Sequence, residues 1–150
     1  MSRTGFKHIL YLLHLWLGLS TGLVVLIVSL SGSIYSFSSE LRELFYRDRL
    51  FVEHASVAKS QLPFERLLNI AQKHLGEKKI SRIEIHMDPK RSYMFRAFKA
   101  GKYFEKVYVD PYSGHILFHE DAEKEFFNVV LSLHRTLLLG DAVGHFIIQW

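Results

Sequence analysis

Three histidines lie in or beside the most apolar parts of the chain. His14 falls inside the first apolar run, His134 begins a second one, and His145 follows further along it. A neutral imidazole in lipid needs a hydrogen-bond partner or a metal, which makes a histidine at membrane depth a candidate cofactor ligand. The alternative for His14 is a hydrogen bond to a neighbouring helix, and for His134 an interfacial position beside Arg135.

The spacing of His134 and His145 allows two geometries. The interval is close to three helical turns, so a continuous helix would place both rings on one face, with His145 ~16 Å deeper. Gly140, Asp141 and Gly144 lie between the two histidines. If the helix breaks there, the two rings no longer share one face. The sequence leaves both geometries open.

The first apolar run predicts a membrane-spanning helix. Residues 8–39 contain no Asp, Glu, Lys or Arg, and the run exceeds the ~20 residues that cross a ~30 Å hydrocarbon core. A cleaved signal peptide is the alternative, but its apolar region would extend over only ~7–15 residues. Arg3 and Lys7 precede the run, so the positive-inside rule predicts a cytoplasmic N-terminus and an exported segment after Tyr35.

Composition limits the chemistry of the exported part. The chain has no cysteine, so disulfides and thiolate metal sites are excluded, and any metal must be held by histidine, methionine or carboxylate. The net charge is +4, but acidic and basic residues are interspersed without a basic block, so no nucleic-acid partner is predicted. The chain contains no phosphate-binding loop, nucleophile elbow or zinc-protease motif, so the sequence gives no support for hydrolysis.

The middle of the chain predicts a small helix and a sheet. A helix from Pro63 to about Leu75 has an apolar stripe on one face and ends at Gly76. About four short antiparallel strands follow, with predicted ranges 80–87, 93–99 and 103–109 and a last strand after Gly114. One face of this sheet would pack on the helix.

The predicted fold class is therefore α+β, with an N-terminal transmembrane helix before the small domain and the start of a second membrane helix after it. The predicted divisions are 1–38 for the cytoplasmic tail and transmembrane helix, 39–61 for a juxtamembrane helix and linker, 62–120 for the small domain, and 121–150 for a helix leading into the second, truncated membrane segment.

The last turn of the predicted sheet is built from Asp110 to Gly114. The Asp110 carboxylate can cap the turn, Pro111 presets φ at its first corner, and Gly114 tolerates the positive φ that closes it. Beyond the turn, His115 and His119 are spaced so that an unbroken strand would put them on one face, where a weak metal site is conceivable. No third ligand lies nearby in the sequence.

Three segments together resemble the PepSY-associated transmembrane family. VYVDPYSGHIL matches the closing signature of a PepSY domain, LHLWLGLSTGLVVLIVSLSGSIYSF carries the His-x-Trp-x-Gly of the family's first helix, and LSLHRTLLLGDAVG carries its Leu-His-Arg. The chain departs from the family after Gly144, where His145 and Phe146 replace an expected basic residue. Because it stops at Trp150, early in the second membrane segment, we expect the N-terminal portion of a longer protein or a member missing its later helices.

The resemblance implies a haem-carrying membrane reductase that passes electrons from the cytoplasmic side to ferric siderophores on the periplasmic side. His14 and His134 would then lie near opposite faces of the bacterial inner membrane, too far apart to ligate one iron. The expected partners are the lipid bilayer, further transmembrane helices that supply the missing ligands, and a ferric siderophore. The alternative is a non-enzymatic anchored module whose periplasmic PepSY-like domain binds or restrains a partner such as a peptidase.

Overall fold

A computed structural model describes residues 3–52 and 60–138 of the chain, with side chains from residue 5 onward. The chain divides into two compact units. One comprises Met1–Phe37 together with Val129–Trp150, and the other comprises Ser38–Asn128.

The first unit contains the long helix α1 (Arg3–Ser36) and most of α5 (Phe126–Thr136). At 1.5 Å per residue α1 is about 51 Å long, more than the ~30 Å hydrocarbon core requires. Residues Gly5–Ser36 are apolar enough to cross a membrane, and the large apolar side chains along this stretch are exposed rather than buried in the protein. The predicted transmembrane helix is confirmed as the candidate membrane span of the described chain.

Four hydroxyl side chains within α1, those of Ser20, Thr21, Ser31 and Ser33, form hydrogen bonds inside the helix itself. Ser20 donates to the Trp16 carbonyl at 2.8 Å, and Ser31 donates to the Ile27 carbonyl at 2.7 Å. Lipid offers no hydrogen-bond partners, so a polar side chain in a membrane helix that bonds one turn back avoids an unsatisfied donor. The serines in this apolar run are therefore compatible with a lipid environment.

The second unit is an α+β domain, as predicted. Two short helices, α2 (Ser38–Phe45) and α3 (Arg47–Leu50), precede α4 (Phe64–Leu75). Four strands then form an antiparallel sheet in sequential order: β1 (Ile80–Glu84), β2 (Tyr93–Lys99), β3 (Tyr103–Val109) and β4 (Ile116–Asp121).

The core of the domain lies between α4 and one face of the sheet. Leu67, Ala71 and Leu75 are spaced four residues apart on α4 and are fully or almost fully buried. They pack in one cluster with alternate residues of the two central strands: Phe95, Ala97, Val107 and Val109. The helical and strand periods thus place the apolar residues on one stripe of α4 and one face of the sheet. Burying these surfaces against each other stabilises the domain by about 25 cal/mol per Å² of apolar surface removed from water.

Strand β1 is shorter than predicted: it ends at Glu84, whereas the predicted strand extended to Met87. The register would place His86 opposite Ser92, but the Ser92 N–H bonds to the Leu50 carbonyl at 3.0 Å instead. The chain after α3 therefore occupies the place that the end of β1 would need. His86 is exposed just beyond the end of the strand.

The predicted turn after β3 is confirmed. Gly114 has a φ of +73°, and Asp110 Oδ1 accepts a hydrogen bond from the Tyr112 N–H at 2.8 Å. The Gly114 N–H also donates to the Asp110 carbonyl at 2.9 Å. This turn joins β3 to β4, the last two strands of the sheet.

Candidate functional site

His134 packs directly against α1 in the first unit. Its Nδ1 lies 2.9 Å from the Val28 carbonyl oxygen, and its ring lies over Gly32. A Cβ at position 32 would be only 2.8 Å from His134 Cε1, so the ring can occupy this place only because residue 32 has no side chain. We call this pocket on α1, formed by Val28 and Gly32, the Gly32 notch.

The hydrogen bond to Val28 fixes the state of the His134 ring. A carbonyl oxygen can only accept, so in the neutral ring Nδ1 carries the proton and Nε2 keeps its lone pair. Metal-ligating histidines commonly donate their other ring N–H to a backbone carbonyl, which fixes the tautomer and the ring orientation. His134 thus has the hydrogen-bonding arrangement of a preoriented Nε2 ligand.

His14 lies on the same face of α1 as the Gly32 notch. The interval from residue 14 to residue 32 corresponds to five full turns, or about 27 Å along the axis. The His14 ring is exposed and forms no hydrogen bond with the described part of the chain. In lipid such a ring needs a partner outside these residues.

Helix α5 ends two residues after His134, which decides between the two geometries for His134 and His145. Leu137 and Leu138 both have positive φ values, +50° and +61°, and such left-handed residues interrupt a right-handed helix. A single continuous helix does not connect the two histidines, and the break precedes the glycines that were expected to cause it. His145 itself lies outside the described residues.

His119 meets a different partner from the one predicted. Its Nδ1 lies 3.1 Å from Nε2 of His74 on α4, and its Nε2 lies 3.1 Å from Oε2 of Glu105 on β3. His115 precedes β4, and a bulge between Ile116 and Phe118 prevents the uninterrupted alternation that would have aligned it with His119. Within residues 3–52 and 60–138, no three potential ligands are placed to hold one metal ion.

Glu105 links this histidine pair to Lys78. Burial raises the pKa of the Glu105 carboxyl, but hydrogen bonds from Lys78 and His119 outweigh burial and lower the pKa below its ordinary value. Glu105 therefore stays ionised near neutral pH and accepts hydrogen bonds from Lys78 and His119.

A cleft of about 650 Å³ opens on the opposite face of the sheet from α4, within the second unit. Its lining includes four cationic side chains, Arg42, Arg91, Arg96 and Lys106, together with His86 and the rings of Tyr46 and Phe104. Sequence reasoning missed this cleft, although strand alternation would have assigned Arg96 and Lys106 to the face away from α4.

The floor of the cleft is rigidified by a buried polar network. The Arg49 guanidinium lies between the rings of Tyr46 and Phe118, 3.8 and 3.9 Å from their centroids, and donates to Glu120. The Tyr108 hydroxyl donates to the same carboxylate at 3.1 Å, and burial together with the nearby Glu120 charge raises the pKa of Tyr108. Tyr108 therefore remains a protonated donor at any physiological pH.

Comparison with known proteins agrees with this architecture. No curated protein shows significant similarity to the chain. The family model described as the PepSY-associated TM region matches residues 11–150, which include most of α1, the α+β domain and α5. The chain is therefore a membrane-associated PepSY protein that belongs to the PepSY-associated TM region family.

Proposed function

We propose that this membrane-anchored PepSY protein takes part in haem-dependent electron transfer across the bacterial inner membrane, and that it reduces ferric siderophores during iron uptake. The observation that carries the proposal is the His134 ring, which is hydrogen-bonded at Nδ1, leaves Nε2 available, and fits a notch made by a glycine. Family membership supports the same assignment, because the proposed activity is the one that resemblance to this family implies.

The donor set fits a haem better than a small hard cation. Neutral imidazole is a common axial ligand of haem iron, whereas the described residues offer no carboxylate cluster for a structural metal. His134, His14 and His145 are the residues that would hold haem iron, each together with a ligand from another helix. Bound haem supplies reversible one-electron redox chemistry. The chain's own contribution is to fix the His134 tautomer and to hold the ring against α1.

Two histidines on one face of α1 fit a path across the membrane. His14 and the Gly32 notch are about 27 Å apart along the helix, comparable to the ~30 Å hydrocarbon thickness. Two cofactor sites at these depths would divide the path of an electron between the cytoplasmic and periplasmic surfaces into shorter steps. In this proposal each histidine serves a separate haem.

The proposed orientation places the N-terminus in the cytoplasm and the α+β domain in the periplasm, since Arg3 and Lys7 precede the apolar run. Alkaline phosphatase fused after Ser60 should therefore be active, whereas a reporter that functions only in the cytoplasm should be inactive at the same site. The reverse pattern would reject this orientation and would place His14 near the periplasmic surface.

The haem content of the purified full-length protein tests the proposed function. The protein should show a Soret band, and His134→Ala should remove roughly half of it if His14 serves a second haem. His115→Ala is the matched control, because His115 is an exposed histidine of the α+β domain and its loss should leave the spectrum unchanged. A protein that stays colourless after expression with excess haem would reject electron transfer and favour the anchored interaction module.

A further inference from the structure

The sheet face that lines the cleft carries a row of charged side chains. Antiparallel register places Arg82, Arg96, Lys106 and Glu120 opposite one another across the four strands. Like charges directly opposite on neighbouring strands repel, so the adjacent Arg96 and Lys106 cost stability unless an anion lies between them.

The ends of this row are neutralised within the protein, but Arg96 is not. Arg82 pairs with Glu84 at 3.1 Å, and Glu120 pairs with Arg49 and lies 3.4 Å from Lys106 Nζ. Across residues 3–52 and 60–138, Arg96 forms no ion pair, and its Nε is buried without a hydrogen-bond acceptor. The Nε of Arg49 is buried without an acceptor in the same way, but the Arg49 guanidinium is paired with Glu120, whereas Arg96 has no carboxylate partner within the described residues. The charge of Arg96 is therefore available to an anion in the cleft.

The cleft around Arg96 has one uncompensated cation and the size of a ligand site. Three of its four cationic side chains have carboxylate partners: Arg42 pairs with Glu125, Arg91 with Glu43, and Lys106 Nζ lies 3.4 Å from Glu120. Among the described residues, Arg96 has no such partner. Its volume of about 650 Å³ falls within the range of small-molecule sites. Lys106 is itself largely buried, so its charge is weakly screened by solvent.

We infer that this cleft binds a small anionic iron chelate, with Arg96 and Lys106 contacting its outer carboxylate or phenolate oxygens. The iron in this inference rests on the proposed function, whereas the negative charge of the ligand is argued from the cleft. The Arg96 guanidinium can donate parallel N–H bonds to a carboxylate, and Lys106 adds a second cation on the neighbouring strand. A neutral chelate of the same metal would leave Arg96 without an anionic partner and should bind less tightly.

Equilibrium binding to the full chain in detergent tests this inference, with ferric citrate as the anionic probe and a neutral ferric trihydroxamate as the comparison. Ferric citrate should bind at least tenfold more tightly than the neutral chelate, and Arg96→Gln should weaken its binding at least tenfold. Arg96→Lys, which keeps the charge but loses the planar fork, should give an intermediate affinity. Arg66→Gln removes one charge from α4, on the other side of the sheet, and should leave the affinity unchanged.

Thermal melting separates a ligand contact from a structural role. Because Arg96→Gln relieves repulsion with Lys106, the ligand-free variant should melt at or above the temperature of the wild type. A lower melting temperature, equal binding of the two chelates, or unchanged binding in Arg96→Gln would overturn the inference. A colourless protein that still binds ferric citrate through Arg96 would reject haem-dependent transfer while leaving the cleft assignment standing.

Discussion

Replacing Gly32 with alanine should displace the His134 ring without disrupting α1. The new Cβ would lie 2.8 Å from His134 Cε1 and 3.0 Å from its Nδ1, so the imidazole must move and lose its hydrogen bond to the Val28 carbonyl. Alanine favours helix over glycine by ~1 kcal/mol, so the backbone should be retained. Loss of the orienting hydrogen bond should weaken haem binding at this site by roughly 10- to 100-fold, the usual effect of losing the partner that orients a ligating histidine.

Two measurements separate the ring displacement from a general loss of folding. Nitrogen-15 NMR of histidine-labelled protein should detect the Nδ1–H tautomer of His134 in the wild type and its loss in Gly32→Ala, whether or not haem is bound. The Soret band should fall in the same variant. Gly22→Ala is the matched control on the same helix. Apart from the helix's own backbone, no atom of the described residues lies within 4 Å of a Cβ there, so both signals should persist. Identical spectra for Gly32→Ala and the wild type would show that the notch does not position His134.

The contact of the His134 ring with Val28 and Gly32 could not have been predicted from the sequence. The apolar run and the histidine were both evident, but the hydrogen bond joins residues 106 positions apart, and no local pattern specifies which turn of α1 meets the ring. The end of α5 at Thr136 could not be predicted either. The two residues that follow it in left-handed conformation are leucines, whereas the usual sequence signals for a helix end are glycine and proline. Propensity assigns leucine to helix interiors, and tertiary context overrode it here.

The central pair of the sheet, in contrast, follows from local chemistry. The predicted strand ranges 93–99 and 103–109 leave a short turn between them, and this turn places Lys99 opposite Tyr103. Counting along both strands from that pair brings Arg96 opposite Lys106, so the repelling cations in the cleft could have been found from the sequence.

The outer pair of strands shows where such counting fails. Extended from the Asp110 turn, a regular register would put His119 opposite Lys106. The bulge between Ile116 and Phe118 shifts the pairing by one residue, so Glu120 faces Lys106 and His119 faces Val107. A shift of one residue exchanges the two faces of a strand. It moved a carboxylate into the polar network under the cleft and brought His119 to His74, and neither contact has a sequence signal.

Gly114→Val should destabilise the α+β domain by about 3 kcal/mol, for two separate reasons. A β-branched residue at a φ of +73° is strained by roughly 1–2 kcal/mol. A Cβ at this position would also lie 2.7 Å from Ile70 Cδ1 and 3.2 Å from Leu62 Cδ1, and overpacking of this kind costs a further ~1–3 kcal/mol. For a domain of this size the melting temperature should fall by roughly 10 °C or more.

Gly101→Val isolates the first of these two contributions. Gly101 closes the turn between β2 and β3 with a φ of +66°, but no neighbour among the residues that the structure describes lies within 4 Å of a Cβ there, so only the backbone strain should appear. Melts of the full chain followed by circular dichroism should therefore rank wild type above Gly101→Val, and Gly101→Val above Gly114→Val. Below the melting transition both variants should keep the haem spectrum, because each turn supports the sheet of the α+β domain and the proposed haem ligands belong to the other unit. If Gly114→Val lost the spectrum while melting like the wild type, this turn would belong to the cofactor site rather than to the scaffold.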